Sequence, residues 1–239
     1  MSIANNIEVI RDKISASADR AKRDPAEIIV VCVTKIRIID EIYQVLDSGI
    51  EHIGESKIQE AQTKYAALKD YARDTDIPLS LHMIGHLQTN KASKALDIFD
   101  IIQSVDSLRL AKKIDELARE RDIAADILVE VNTSEEEPKF GVSSELTTNF
   151  LREISVFDNI RVRGLMTMAP LLYDQENARV YFRKLRELRD EINEIKDPLF
   201  KEKVNMDFLS MGMSQDYEVA VEEGANMLRI GTAIFEGVS

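Results

Sequence analysis

Lys35 stands at the end of IIVVCVTKIR, residues 28–37, where six of the first seven residues are apolar and most are β-branched. A run of this composition reads as a strand covered on both faces. Side chains alternate along a strand, so Lys35 shares a face with Val33 and Val31. If that face lies inside a closed sheet, the ammonium enters a poorly hydrated site. A lysine so placed loses basicity and becomes a nucleophile toward aldehydes. The alternative is a strand-end lysine that reaches solvent.

The residues ending the other apolar runs are also those that do chemistry. They are Gly54-Glu55, GHLQTNK at 85–91, Ser104 and Asp106, Asn132, GLMTM at 164–168, SMGMS at 210–214 and RIGTA at 229–233. Gly212 and Ser214 immediately precede a helical pattern, and Gly231 and Thr232 repeat the arrangement after the next strand. Each could be an ordinary turn and N-cap. Together they offer backbone amides, hydroxyls and helix starts to an anionic group such as phosphate. Asp216 in the following turn counts against an anion. With Lys35 and Arg229, the combination favours a phosphorylated aldehyde cofactor, pyridoxal 5′-phosphate (PLP).

Other reactive types receive plainer readings. His82 and His86 have the i, i+4 spacing of a helical metal pair, but Gly85 and the strand pattern argue against a helix, and no metal site is expected. His52 reads as a packed strand residue. Met166, Met168, Met211 and Met213 read as gap fillers at strand ends, and Glu135–Glu137 as a solvated loop.

The elements that must position these residues follow from periodicity. Ile3, Ile7, Ile10 and Ile14 predict an amphipathic N-terminal helix stopped at Asp24-Pro25. Strand-length apolar runs then appear near 28–34, 51–54, 80–84, 100–105, 126–132, 160–166, 206–210 and 227–230, separated by helical patterns. The clearest helix spans 174–196, with Phe182, Leu185, Leu188, Ile192 and Ile195 in one stripe, and Gly49 and Gly224 sit where helix C-caps belong. About eight strands alternating with as many helices predict an α/β fold, a single (β/α)₈ TIM barrel over 1–239, whose site lies at the C-terminal ends of its strands. An open doubly wound sheet is the rival, but VTKIRIID at the first strand-to-helix junction has no glycine-rich dinucleotide fingerprint. Long loops are expected at 133–141 and 197–205.

Composition narrows the partners. The chain has 239 residues, 44% apolar, with 31 basic against 43 acidic side chains and a net charge of −12. That balance opposes general adhesion to nucleic acid or anionic lipid and points to a small ligand. The single cysteine, Cys32, reads as a small buried hydrophobe in a reducing, cytoplasmic setting. The N-terminal segment lacks the apolar core of a signal peptide, and no stretch approaches the length of a membrane span.

The motifs VTK (33–35), GESKIQEA (54–61), HMIGHLQTNK (82–91), SVD (104–106), KFGV (139–142), GLMTM (164–168) and LSMGMSQDYEVAVEEGANMLRIGTAIF (209–235) resemble the pyridoxal phosphate homeostasis family nearly end to end. The last segment is highly specific, whereas VTK alone means little. The resemblance implies a barrel similar to the N-terminal domain of bacterial alanine racemase, PLP fold type III. It implies Lys35 as the Schiff-base lysine and Ser214, Gly231 and Thr232 as phosphate ligands. Arg229 resembles the arginine facing the pyridine nitrogen, and Met213 is placed in the same pocket. Two departures stand out: Ser56 replaces the asparagine usual in G-E-N, which bears on a polar contact beside the cofactor, and Glu236 interrupts the usual F-G ending.

The resemblance implies a protein that holds, delivers or buffers PLP, with PLP-dependent apoenzymes as candidate recipients, rather than an enzyme. It is expected to be a monomer or weak homodimer. The alternative is an amino-acid racemase or related PLP enzyme, which needs a second acid/base group. In the alanine racemase relatives that group comes from an additional C-terminal domain, which is not expected in a chain ending soon after Ile230. A Schiff-base aldolase acting on a sugar phosphate would use the same lysine without a cofactor.

Overall fold

The eight apolar runs become eight parallel strands that close on themselves. They are β1 (Ile29–Val33), β2 (His52–Glu55), β3 (Ser80–Met83), β4 (Ile101–Val105), β5 (Ala125–Asn132), β7 (Ile160–Met166), β8 (Val204–Ser210) and β9 (Met227–Ile230). The computed structural model describes residues 2–135, 140–170 and 174–238. Strand order is β4-β3-β2-β1-β9-β8-β7-β5, and pairing of β4 with β5 closes the barrel. A two-residue strand, β6 (Val142–Ser143), adds to β5 outside the closed ring.

Register decides what faces inward. Val31 pairs with His52 on one side and Arg229 on the other, and Gly54 pairs with His82. In-register neighbours share a face, so His52, His82 and Arg229 point to the same side as Val31. That side is the barrel interior, where Val31, Leu128, Met166 and Met227 form a small apolar cluster. The alternate residues, among them Cys32, Ile53, Ile102 and Ile230, join the larger core between barrel and helices.

The helices are amphipathic with one stripe inward. In α1 (Ile3–Arg20) the side chain of Ser2 caps the start, and Ile3, Ile7, Ile10 and Ile14 are buried as their spacing predicts; each such burial contributes roughly 1.5–3 kcal/mol. The structure also contains α2 (Ile39–Asp47), α3 (Ile58–Asp74), α4 (Ala92–Ile98), α5 (Leu108–Glu120) and α6 (Ser144–Ile154). The helix expected over 174–196 is a 3₁₀ turn at Gln175–Ala178 followed by α7 (Arg179–Asn193). Phe182, Leu185, Leu188 and Ile192 are buried in it. Ile195 lies past its end and still packs on the core. Gly49 and Gly224 take positive φ just beyond α2 and α9 (Tyr217–Glu222).

The expected loop at 197–205 is corrected: Asp197 caps a short α8 (Pro198–Lys203), and β8 begins two residues earlier than periodicity suggests. Asp before Pro is N-cap and first-turn chemistry, so the helix start had a local cause. The chain closes with α10 (Thr232–Phe235), against which α1 is tied by the Asn6 amide donating to the carbonyls of Ile234 and Glu236. Among the described residues no helix is long and apolar enough to cross a membrane.

Candidate functional site

At the C-terminal ends of β1, β8 and β9 the barrel mouth holds a cavity of about 420 Å³. Lys35, Met213, Ser214, Arg229, Gly231 and Thr232 all line it, together with Val33, Gln175, Asp216 and Glu236. Lys57, Lys91 and Lys139, which also follow apolar runs in the sequence, are the alternatives to Lys35 as a reactive amine. Lys57 and Lys91 line a neighbouring cavity with Ser56 and His86, and Lys139 is outside the described residues, as are Glu136 and Glu137. Ser56 therefore does not border the cavity that holds Lys35.

Two short turns build one end of the cavity. Gly212 has φ +92°, and a Cβ there would sit 2.5 Å from the Ala220 Cβ, so the β8–α9 loop can lie against α9 only as glycine. The Asp216 carboxylate is turned into this loop and accepts the Met213 N–H at 2.6 Å. Burial raises its pKa, against the pull of the Met213 N–H and of Arg229, so the carboxylate expected to oppose an anion is engaged within its own loop. Ser214 Oγ accepts the N–H groups of Gly231 and Ala233 at 3.2 Å each. Helices α9 and α10 are only six and four residues long. The donors that could meet an anion here are thus individual amides and hydroxyls, and not the ends of long helix dipoles.

Arg229 forms the cavity's cationic element. It is 3% exposed, and burial pulls its guanidinium down to about 10, still charged at neutral pH. Its Nη1 donates to Ser210 Oγ at 2.7 Å and its Nη2 to the Thr167 carbonyl at 2.8 Å. Beyond Ser210 the bonds continue across the barrel. Ser210 Oγ donates to Gln103 Oε1 at 2.6 Å, Gln103 Nε2 meets His82 Nδ1 at 2.8 Å, and His82 Nε2 meets His52 Nδ1 at 2.9 Å. Since arginine and the amide nitrogen only donate, Nδ1 of His82 must accept and its proton sits on Nε2. His82 is fully buried and its pKa falls to about 3, so it is neutral. His52 borders a second opening at the other end of the barrel.

Sequence reasoning missed Ser210, Gln103 and His82 as parts of this chain. The available signal was polarity at inward positions: Gln103 and Ser210 lie two residues beyond interior Ile101 and Phe208. It missed Glu130 for the same reason. That carboxyl lies two residues past interior Leu128, is 3% exposed, and is pushed up to about 7 by burial and by Asp106, against the pull of Arg229.

Lys35 is not where alternation along a buried strand would put it. Strand β1 ends at Val33, and Lys35 is exposed on a turn at the mouth; the expectation of a dry barrel interior around its ammonium is corrected. The turn runs Thr34 to Arg37, closed by the Arg37 N–H on the Thr34 carbonyl at 3.1 Å. Its third residue, Ile36, has φ +59° and is 81% exposed. A left-handed φ at this position suits glycine or asparagine, and a β-branched residue there costs about 1–2 kcal/mol. Both sides of Lys35 are anchored. Thr34 Oγ1 donates to Glu55 Oε1 at 2.7 Å, and Lys64 Nζ donates to that oxygen and to the Thr34 carbonyl, each at 2.8 Å. The Ile36 N–H donates to Glu60 Oε2 at 3.0 Å. The Arg37 guanidinium lies 4.4 Å over the Phe235 ring of α10.

The remaining candidates separate. His86 pairs with Asp106 at 3.2 Å and stacks on Phe140, away from His82. Met166 lies in the interior cluster, Met211 in the outer core and Met168 at the surface, so the methionines form no common site. Among the described residues no group of His, Cys, Asp and Glu is arranged to hold a metal. Cys32 is buried, and burial with Glu55 nearby raises its thiol pKa.

The chain matches the family described as alanine racemase, N-terminal domain, over residues 2–238. It is 37% identical over 235 residues to a pyridoxal phosphate homeostasis protein of Aquifex aeolicus, covering 98% of each chain. Among solved structures it is similar to a protein of Bifidobacterium adolescentis described as unknown, with a TM-score of 0.91 and 35% identity over 98% of this chain and 94% of that one. It is also similar to PipY of Synechococcus elongatus with PLP bound, with a TM-score of 0.80 and 31% identity over 98% of this chain and 100% of that one.

Proposed function

This chain belongs to the alanine racemase N-terminal domain family and, within it, to the pyridoxal phosphate homeostasis proteins, and from that premise we propose that it binds PLP in the 420 Å³ cavity and serves to hold or deliver it in the cell. The observation carrying this reading is convergence: an amine, a buried cation and a cluster of amide and hydroxyl donors, on three separate strand ends, border one space.

The residues present fit that cofactor. Ser214, Gly231 and Thr232 would hold the phosphate, with the N–H groups that now meet Ser214 Oγ available to an anionic oxygen. Lys35 supplies the amine for the aldehyde, and Met213 and Val33 give apolar cover. Bound PLP supplies an electrophilic carbon to an amine and a ring that can accept electron density. Arg229, which only donates, would hold a ring nitrogen placed beside it in the unprotonated state and so keep the ring a weak electron sink. Ser210 and the Thr167 carbonyl keep that guanidinium from turning.

This arrangement favours retention of PLP over turnover, and PLP-dependent apoenzymes are the recipients we propose. A reducing cytoplasmic setting agrees with the lone buried cysteine. The test is to incubate the protein with PLP, reduce with borohydride and map the labelled peptide. Label on Lys35, absent in Lys35→Ala with unchanged thermal stability, is the expected result. Label on Lys57, Lys91 or Lys139 overturns the assignment.

A further inference from the structure

The strained turn that carries Lys35 is held from outside the cavity, by residues that never reach it. Ile36 adopts a left-handed conformation with its side chain 81% exposed, so packing of that side chain does not account for the conformation. Three polar anchors do. Glu60 Oε2 takes the Ile36 N–H at 3.0 Å. Glu55 Oε1 takes the Thr34 hydroxyl at 2.7 Å. Lys64 Nζ, 11% exposed, bridges that same oxygen and the Thr34 carbonyl. All three come from β2 and α3, and the turn belongs to β1. The other residues assigned to the cofactor, apart from Lys35, stand on the loops after β8 and on β9 and its following turn.

We propose that Glu60, with the Glu55–Lys64 pair, is a positioning device that presents the Lys35 backbone to the cavity in one orientation, so that capture of the aldehyde is set separately from binding of ring and phosphate. The inference rests on the reading that Lys35 is the amine for PLP. Its physical basis is pre-organisation: the backbone on both sides of Lys35 is fixed, leaving only side-chain torsions to be ordered on reaction. Loss of the Glu60 anchor lets the turn relax away from the left-handed state, and a glycine at position 36 makes the anchor unnecessary because glycine adopts that state freely.

The test compares PLP with 4-deoxypyridoxine 5′-phosphate, which has the ring and phosphate and no aldehyde. Equilibrium binding of both is measured for the parent, Glu60→Ala, Glu60→Gln, Ile36→Gly and the Ile36→Gly/Glu60→Ala double variant. Glu60→Ala should weaken PLP about tenfold while leaving the deoxy compound within about twofold, a difference of ~1.4 kcal/mol. Glu60→Gln keeps an acceptor oxygen and should stay near the parent, and Ile36→Gly should suppress most of the Glu60→Ala loss. Equal weakening of both compounds, or an Ile36→Gly background in which the loss persists in full, overturns the proposal. PLP affinity unchanged in Glu60→Ala does so too. A parent that binds the deoxy compound but captures PLP on another lysine, or one that binds neither, overturns the underlying assignment instead and the proposal with it.

Discussion

Arg229 Nη1 lies 2.7 Å from Ser210 Oγ, and since a guanidinium only donates, this one contact turns the Ser210 proton toward Gln103 and sets the direction of every bond as far as His52. Gln103→Leu would leave the Ser210 proton without its acceptor and His82 Nδ1 without its donor in the buried barrel interior, while Ser210 Oγ still accepts from Arg229. Each buried group so stranded costs about 1–3 kcal/mol. Urea unfolding should therefore show a loss of at least about 1 kcal/mol, and a variant as stable as the parent would mean the chain contributes little.

Acid should destabilise the protein through His82. Its pKa falls from 6.5 to about 3 on folding, so its contribution is full above pH 6.5 and is lost as pH falls through about 3. Glu130 acts with the opposite sign: its pKa rises from 4.5 to about 7, so its contribution is full below pH 4.5 and is lost as pH rises through about 7. Between pH 4.5 and 6.5 the two oppose each other, and the steepest loss is expected below 4.5. Unfolding across pH 3–8 should be flattened at the acid end in His82→Asn. Glu130→Gln should gain stability above pH 7, and no gain there would contradict burial of an ionised Glu130.

Gly212→Ala should damage both fold and cofactor retention. The new Cβ would come within 2.5 Å of Ala220 Cβ on a backbone at φ +92°. Strain of this kind costs about 1–3 kcal/mol even where space allows. A drop in melting temperature with weaker PLP binding is expected, and an unchanged melting temperature would show that α9 moves aside freely.

Amino-acid chemistry should be slow. If Arg229 faces the ring nitrogen as proposed, that nitrogen stays unprotonated, and α-hydrogen exchange of alanine or serine in deuterated water should fall well below the ordinary enzyme range of about 1–10³ s⁻¹. Exchange within that range would restore the racemase reading.

Much of this architecture was legible because its signal is local. The run ILVEVN at 127–132 contains Leu128, Val129 and Val131, all buried on one face of the wall or the other, so a strand was unmistakable. Ser214 and Thr232 could be read from their place after strand ends, since that rule needs only topology. What escaped depends on distant pairing. Ser210 and Gln103 are 107 positions apart and become partners only once β4 and β8 face each other across the barrel. Lys35 was misplaced for a local reason, because β1 stops at Val33 and Ile36 turns the chain against its own preference.

The hydrogen-bonded row from Arg229 to His52 runs from the candidate cofactor cavity to an opening at the opposite end of the barrel. Its two imidazoles are locked into one tautomer by an arginine they do not touch, and polarisation passes along such rows. The ring nitrogens of His52 and His82 thus serve as a built-in spectroscopic gauge: their ¹⁵N resonances report what Arg229 meets without any label placed near the ligand itself.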